Sequence, residues 1–194
     1  MNSTVKRIRT CIVLAITLTA AVAAVAQVET IDALARGTST QSGKQVSIRI
    51  IINQYSTPET RQALVDAFHN GGNDGLVKAL SKLKSVGRIS LPGTVGYTIA
   101  FAQSIQTPTG RKIQFVTDRW IHIGEAARNT RSQAYNLTVG EVDVNMQDKS
   151  KNTGVLYPAA QLGINDNGEL QLSLLQNPWQ LVGIIAWPGK SKEQ

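Results

Sequence analysis

The chain has little of what covalent, redox or metal chemistry most often uses. Its 194 residues include one cysteine and two histidines. A lone cysteine, Cys11, cannot close an intrachain disulfide. His69 and His122 with one carboxylate could ligate a metal, but nothing in their spacing points to it. No G-x-S-x-G and no H-E-x-x-H occurs, and no glycine-rich phosphate loop follows a strand-like run. Asp166-Asn167-Gly168-Glu169 matches only a fragment of a calcium loop and reads as a hairpin turn. The sequence therefore implies no cofactor. Charged residues make up only 17%, against 42% hydrophobic residues, which excludes a disordered chain, a coiled coil and collagen.

What is present begins with an export pattern. Lys6, Arg7 and Arg9 precede an apolar run from Cys11 to Val22, and Ala24-Val25-Ala26 offers an A-x-A cleavage site. The expected cut lies between Ala26 and Gln27. The apolar stretch is shorter than the roughly 20 residues that span a bilayer. No adjacent arginine pair precedes it, so Sec export is expected. Removing three basic residues and no acid takes the net charge from +7 to +4, and Cys11 leaves with the signal. No later segment is apolar enough to span a membrane, so the mature chain is expected in the periplasm or outside the cell.

Residues 1–26 are thus assigned to a signal peptide and 27–44 to a flexible, Gly-, Ser- and Thr-bearing lead-in. Residues 45–189 form a single β-rich domain, and 190–194 a charged tail. Val46, Ile48, Ile50 and Ile52 recur at period two and predict a strand. Ser56 and Glu59 have capping-box spacing around Pro58, and Gly71-Gly72 divides two helix-like runs, which together predict a helical hairpin after that first strand. Tyr97, Ile99 and Phe101 alternate with small residues. Thr107-Pro108-Thr109-Gly110 predicts a hairpin turn, and a phase change near Gly140 predicts a bulge. The later links are short, which demands antiparallel neighbours. The expected fold is α+β and mostly antiparallel: a curved sheet or small barrel of about seven to eight strands, with a two-helix hairpin after strand one.

The densest polar cluster joins Asp118, Arg119, Trp120, His122, Glu125 and Arg128. Arg119 and Arg128 could hold an anion with Trp120 stacked beside it. His122 and Glu125 could serve as a base and its orienter. In the plainer reading Asp118 pairs with Arg119 in a bend and Trp120 packs beneath. Lys78, Lys82, Lys84 and Arg88 form the nearest approach to a basic patch, which a solvated helix face explains. No basic stripe interleaved with aromatics suggests nucleic acid.

The segments SIRIIINQYSTPETRQAL, VGYTIAFAQ, TPTGRKIQFVTDRWIHIGEAA and YNLTVGEVDVN resemble a group of uncharacterised exported bacterial proteins. That resemblance spans roughly residues 45–175. It implies a shared fold and export, and it brings no activity, substrate or site. The strand-rich pattern with TDRW is also similar, loosely, to lipocalin barrels, although the Gly-x-Trp of a first lipocalin strand is missing.

Together these features predict an exported, non-enzymatic binding or accessory protein of the bacterial envelope. Its partner would be a small apolar ligand or an envelope component. Tyr97, Phe101, Phe115, Trp179 and Trp187 would line a barrel interior. Two alternatives stand beside this. One is an exported enzyme using Asp118, His122 and Glu125. The other is a structural protein docking on a membrane or partner through its lysine-bearing helices.

Overall fold

The computed structural model describes residues 28–124, 135–164 and 170–187. They contain β1 (Glu29–Gly37), β2 (Gln45–Ile52), α1 (Pro58–Leu80), β3 (Gly87–Ser90), β4 (Tyr97–Thr107) and β5 (Gly110–Thr117). These are followed by β6 (Leu137–Asn145), β7 (Thr153–Ile164), β8 (Leu170–Leu174) and β9 (Trp179–Trp187). The expected signal, its Ala26/Gln27 junction, the Asp166–Gly168 turn and the tail lie outside the described residues.

Each strand pairs antiparallel with its neighbours, in the order β6-β5-β4-β3-β2-β1-β9-β7, and β6 also pairs with β7. That last pairing closes a barrel of eight strands. β8 stands outside the ring, paired to β7 over Ala160–Ile164. Closure removes most of the unpaired strand edge that an open meander would expose.

Of the two expected forms, curved sheet or small barrel, the barrel is present, with two corrections. First, the flexible lead-in contains a strand. β1 pairs with β2 on one side and β9 on the other. Its inward residues are Glu29, Ile31, Ala33 and Ala35, all buried, while Leu34 lies on the other face. A buried glutamate, two alanines and an outward leucine flatten the apolar alternation that marks a strand. Second, the helical segment follows the second strand rather than the first, and its two runs meet at a kink at Gly71 and Gly72, where the sequence placed the division. Its backbone breaks at Gly71 and Gly72 and then continues. Gly72 has φ 57° and ψ −149°, a region essentially reserved to glycine. The N-cap is Thr57, whose side chain accepts from the Thr60 N–H. Ser56 instead ties the helix entry to the barrel wall: its N–H donates to the Ala102 carbonyl and its Oγ accepts from the Ala102 N–H.

The interior is filled by side chains. Ile31, Ile50, Ile89, Ile113, Phe115 and Trp179 are all essentially inaccessible and belong to one contiguous cluster. Burying an isoleucine or phenylalanine this fully contributes roughly 1.5–3 kcal/mol each. Of the expected lining, Phe115 and Trp179 lie in this core and Tyr97 packs against it. Phe101 does not. A register shift between Ile99 and Phe101 turns Phe101 outward, where it meets Leu64, Phe68, Leu76 and Leu80 of α1 in a second apolar cluster. Trp187 is half exposed on the outer wall.

The bulge expected at Gly140 is absent: β5 and β6 pair in unbroken register from Asn145 to Val139. The irregularity lies in β7, which sets residues 158 and 159 against Thr138 in its pairing with β6. There Pro158, which has no N–H to donate, sits where the other edge of β7 passes from β9 to β8. Gly140 has a different reason. A Cβ built on it would stand 2.1 Å from the Phe115 ring, so the ring lies directly over the glycine of the neighbouring strand.

The outer wall carries its own polar ladder. Lys112 Nζ donates to Glu141 at 2.6 Å, and Gln114 Nε2 to the same carboxylate at 2.7 Å. Burial raises the Glu141 carboxyl, but these two donors outweigh it and hold it below its usual 4.5. A carboxyl lowered on folding contributes its stability above pH 4.5 and loses it as the pH falls through the lowered value. Because the pair is partly solvated, the contribution is about 1 kcal/mol or less. The urea-midpoint difference between the unaltered protein and Glu141→Gln should therefore be present near neutrality and vanish in acid. A difference that persisted undiminished in acid would show that the ion pair is not its source.

Candidate functional site

The barrel has two ends. The upper end holds the β1–β2 and β3–β4 turns and the segment after β5. The lower end holds the start of β1, the end of β9 and the β6–β7 turn.

The sequence-predicted cluster lies at the upper end. Arg119 is exposed, with Nε 3.4 Å from Asp118 Oδ1, so the two pair in a bend as the plainer reading expected. Trp120 does not pack beneath them. It is half buried and stacks on the exposed His122, ring centroids 3.7 Å apart and planes 25° apart. The His122 N–H donates to the Tyr97 hydroxyl at 3.2 Å. Two buried threonines hold the segment down. Thr138 Oγ1 donates to the Pro158 carbonyl at 2.7 Å and accepts from the Ile121 N–H at 2.9 Å, and Thr117 Oγ1 donates to the Arg119 carbonyl. Beside His122 a shallow hollow of about 590 Å³ is lined by Val46, Leu91, Thr94 and Ile123. Glu125 and Arg128 lie outside the described residues. Arg119, Trp120 and His122 thus share one segment, but the arginine's charge faces Asp118 and the imidazole's face is covered by the indole.

A second constellation, at the lower end, has no counterpart in the sequence reading. Glu29 of β1, Tyr55 of the β2–α1 link and Arg111 of β5 converge inside the barrel mouth. Arg111 forks onto Glu29: Nη2 donates to Oε1, and Nη1 to Oε2 at 2.9 Å. The Tyr55 hydroxyl donates to Glu29 Oε2 at 2.6 Å and accepts from Arg111 Nη1 at 3.1 Å. The Glu29 side chain is 5% exposed and that of Arg111 22%. Burial, reinforced by the Glu29 carboxylate, pushes the Tyr55 phenol far above its usual value, so it stays a hydrogen-bond donor at neutral pH. Burial pulls the Arg111 guanidinium down, but Glu29 and Tyr55 outweigh it and hold it above its usual value. These three groups are separated by 26 and 82 positions, so no local motif announces them. One signal was available: Arg111 is in phase with Ile113 and Phe115, and so belongs to the inward face of β5.

Above this triad the wall has a gap. β7 meets β9 only over Gly154–Leu156, opposite Leu181–Trp179. The last turn of β9 therefore faces the β6–β7 turn rather than a strand. Asn152 bridges part of the gap, donating from Nδ2 to the Ile184 carbonyl at 3.2 Å. The remainder is a cavity of about 450 Å³ bounded by Val144, Ile184 and Ala186, with Arg111 at its floor and Met146, Lys149 and Trp187 at its rim. Apolar walls with a few convergent polar groups, at a barrel mouth and of this volume, are what small-molecule sites commonly offer. A smaller apolar hollow of about 210 Å³ lies between α1 and the outer wall, lined by Leu64, Phe68, Phe101 and Leu162. Among the described residues no group of three His, Cys, Asp or Glu side chains could hold a metal ion, and no helix is long and apolar enough to cross a membrane.

Compared with known protein families, with curated proteins and with solved structures, the chain matches none of them.

Proposed function

We propose that the chain is an exported, non-enzymatic binding or accessory protein of the bacterial cell envelope, and that it binds at the lower mouth of the barrel. The observation that carries this reading is the contrast between a packed interior and an open cavity of about 450 Å³ at that mouth. The interior of Ile31, Ile113, Phe115 and Trp179 leaves no place for a ligand of the lipocalin kind. The mouth has apolar walls in Val144, Ile184 and Ala186, and a cation at its rim in Lys149. A ligand there would be apolar over most of its surface and anionic or polar at one end. The Glu29–Arg111–Tyr55 cluster serves as the floor. Its charges are mutually satisfied, so it closes the barrel below the ligand and has no free group for catalysis. Export rests on the Lys6–Ala26 pattern.

The test is native mass spectrometry of the protein purified from the envelope fraction of its own host. A discrete added mass is expected, and it should be lost in Ala186→Phe, which narrows the mouth. A bare mass for the unaltered protein would rule out a tightly held ligand. An added mass that survived Ala186→Phe would move the site elsewhere.

A further inference from the structure

The lower end also carries most of what an interfacial surface requires. Large apolar side chains are exposed there together: Met146 at 73%, Ile185 at 51% and Trp187 at 53%, all bordering one cavity. Val28, 45% exposed, sits beside them at the start of β1, where Thr30 is paired with Trp187. The Trp187 indole N–H donates to Asp32 Oδ2 at 3.2 Å, so the ring has a fixed polar anchor and an open apolar face. Tryptophan held this way is the side chain most at home between water and lipid.

Lysines frame the same patch. Lys149 and Lys151 are exposed in the 3-10 turn between β6 and β7. Lys151 is 3.5 Å from Asp148, and no ion pair engages Lys149 among the described residues.

We infer that the Met146–Ile185–Trp187 end of the barrel docks on an anionic lipid surface, with Lys149 and Lys151 among the headgroups and the mouth opening onto the bilayer. Apolar insertion and lysine attraction add in such binding. The lysines at the end of α1 and just beyond it do not provide an equivalent face. Lys78 and Lys82 are exposed, but the apolar residues of that stretch, Leu76 and Leu80, are buried against the barrel.

The test is co-sedimentation of the chain from Gln27 onward, which contains every strand that closes the barrel, with two kinds of vesicle. One is phosphatidylcholine alone and the other phosphatidylcholine with phosphatidylglycerol. Binding is expected only to the anionic vesicles, with release by salt. Lys149→Glu with Lys151→Glu should lower the partition coefficient roughly thirtyfold or more. Met146→Ser with Ile185→Ser should lower it while leaving its dependence on salt. Lys78→Glu with Lys82→Glu should leave it close to the unaltered value, and matching near-ultraviolet circular dichroism should establish that each variant is folded. Indifference to anionic vesicles would overturn the inference. An equal loss in the α1 variants would also overturn it, by showing attraction to net charge alone. So would a dimer, without vesicle binding, that Ile185→Ser dissociates, since the patch would then join two copies of the chain. The outcome is separable from the ligand reading: a bare native mass with vesicle binding intact removes the ligand and keeps the docking surface.

Discussion

Arg111→Met is expected to lower the melting temperature by roughly 10 °C, the consequence of stranding one buried charge. Methionine replaces most of the arginine's volume, so packing changes little. What changes is Glu29, whose side chain is 5% exposed and would keep only the Tyr55 hydroxyl as a partner. Removing one partner of a buried pair costs about 3–5 kcal/mol, much more than the pair itself contributes over an apolar replacement. The double variant Glu29→Gln/Arg111→Met should therefore recover most of the loss, because the amide can still accept from Tyr55 without an unpaired charge. Calorimetric melting of the two single variants and the double checks this. Losses that simply add would mean that the two side chains contribute independently, through packing rather than charge pairing.

Gly140→Ala should destabilise the barrel by about 3 kcal/mol, at the upper range for overpacking a close-packed core. The added methyl would stand 2.1 Å from the Phe115 ring, and that ring is wholly buried among interior residues with no open side to move into. The same substitution in a Phe115→Leu background should cost much less, because the smaller side chain vacates the space over residue 140. Urea unfolding of the four proteins gives the coupling directly. An alanine that costs the same in both backgrounds would show that the glycine is needed for its backbone and not for the ring above it.

These two sites show how the sequence could and could not be read. Strands β2, β4 and β5 were legible because Val46–Ile52, Tyr97–Ile99 and Ile113–Phe115 repeat apolar residues at period two. The Thr107–Gly110 turn was legible from its residue types alone. β1 was not, because its inward face reads Glu-Ile-Ala-Ala and gains its burial from partners on both sides. The phase change read in β6 has another origin: Leu137 packs outside the barrel with α1 while Val142 faces the interior, and the extra residue lies in β7, beside Pro158. Phe101 was assigned to the interior because one bulge residue reverses every later side chain. The constellation at the lower mouth was illegible for a similar reason. Local density of polar residues drew attention to Arg119 and His122, whereas Glu29, Tyr55 and Arg111 meet only when the barrel closes.

The pairing of β1 with β9 has a consequence for how the molecule is made. The first and last strands of the barrel are neighbours, with Thr30 opposite Trp187. A chain made from its N-terminus cannot complete its ring until residue 187 has emerged. Until then β1 lacks one flank, and Arg111 can meet Glu29 only within an unfinished wall. Contacts this distant in sequence carry a large loop-closure entropy and make for slow folding. Such a chain stays unclosed until then, and completes its mouth, its buried charges and its exposed rim together, with the last strand.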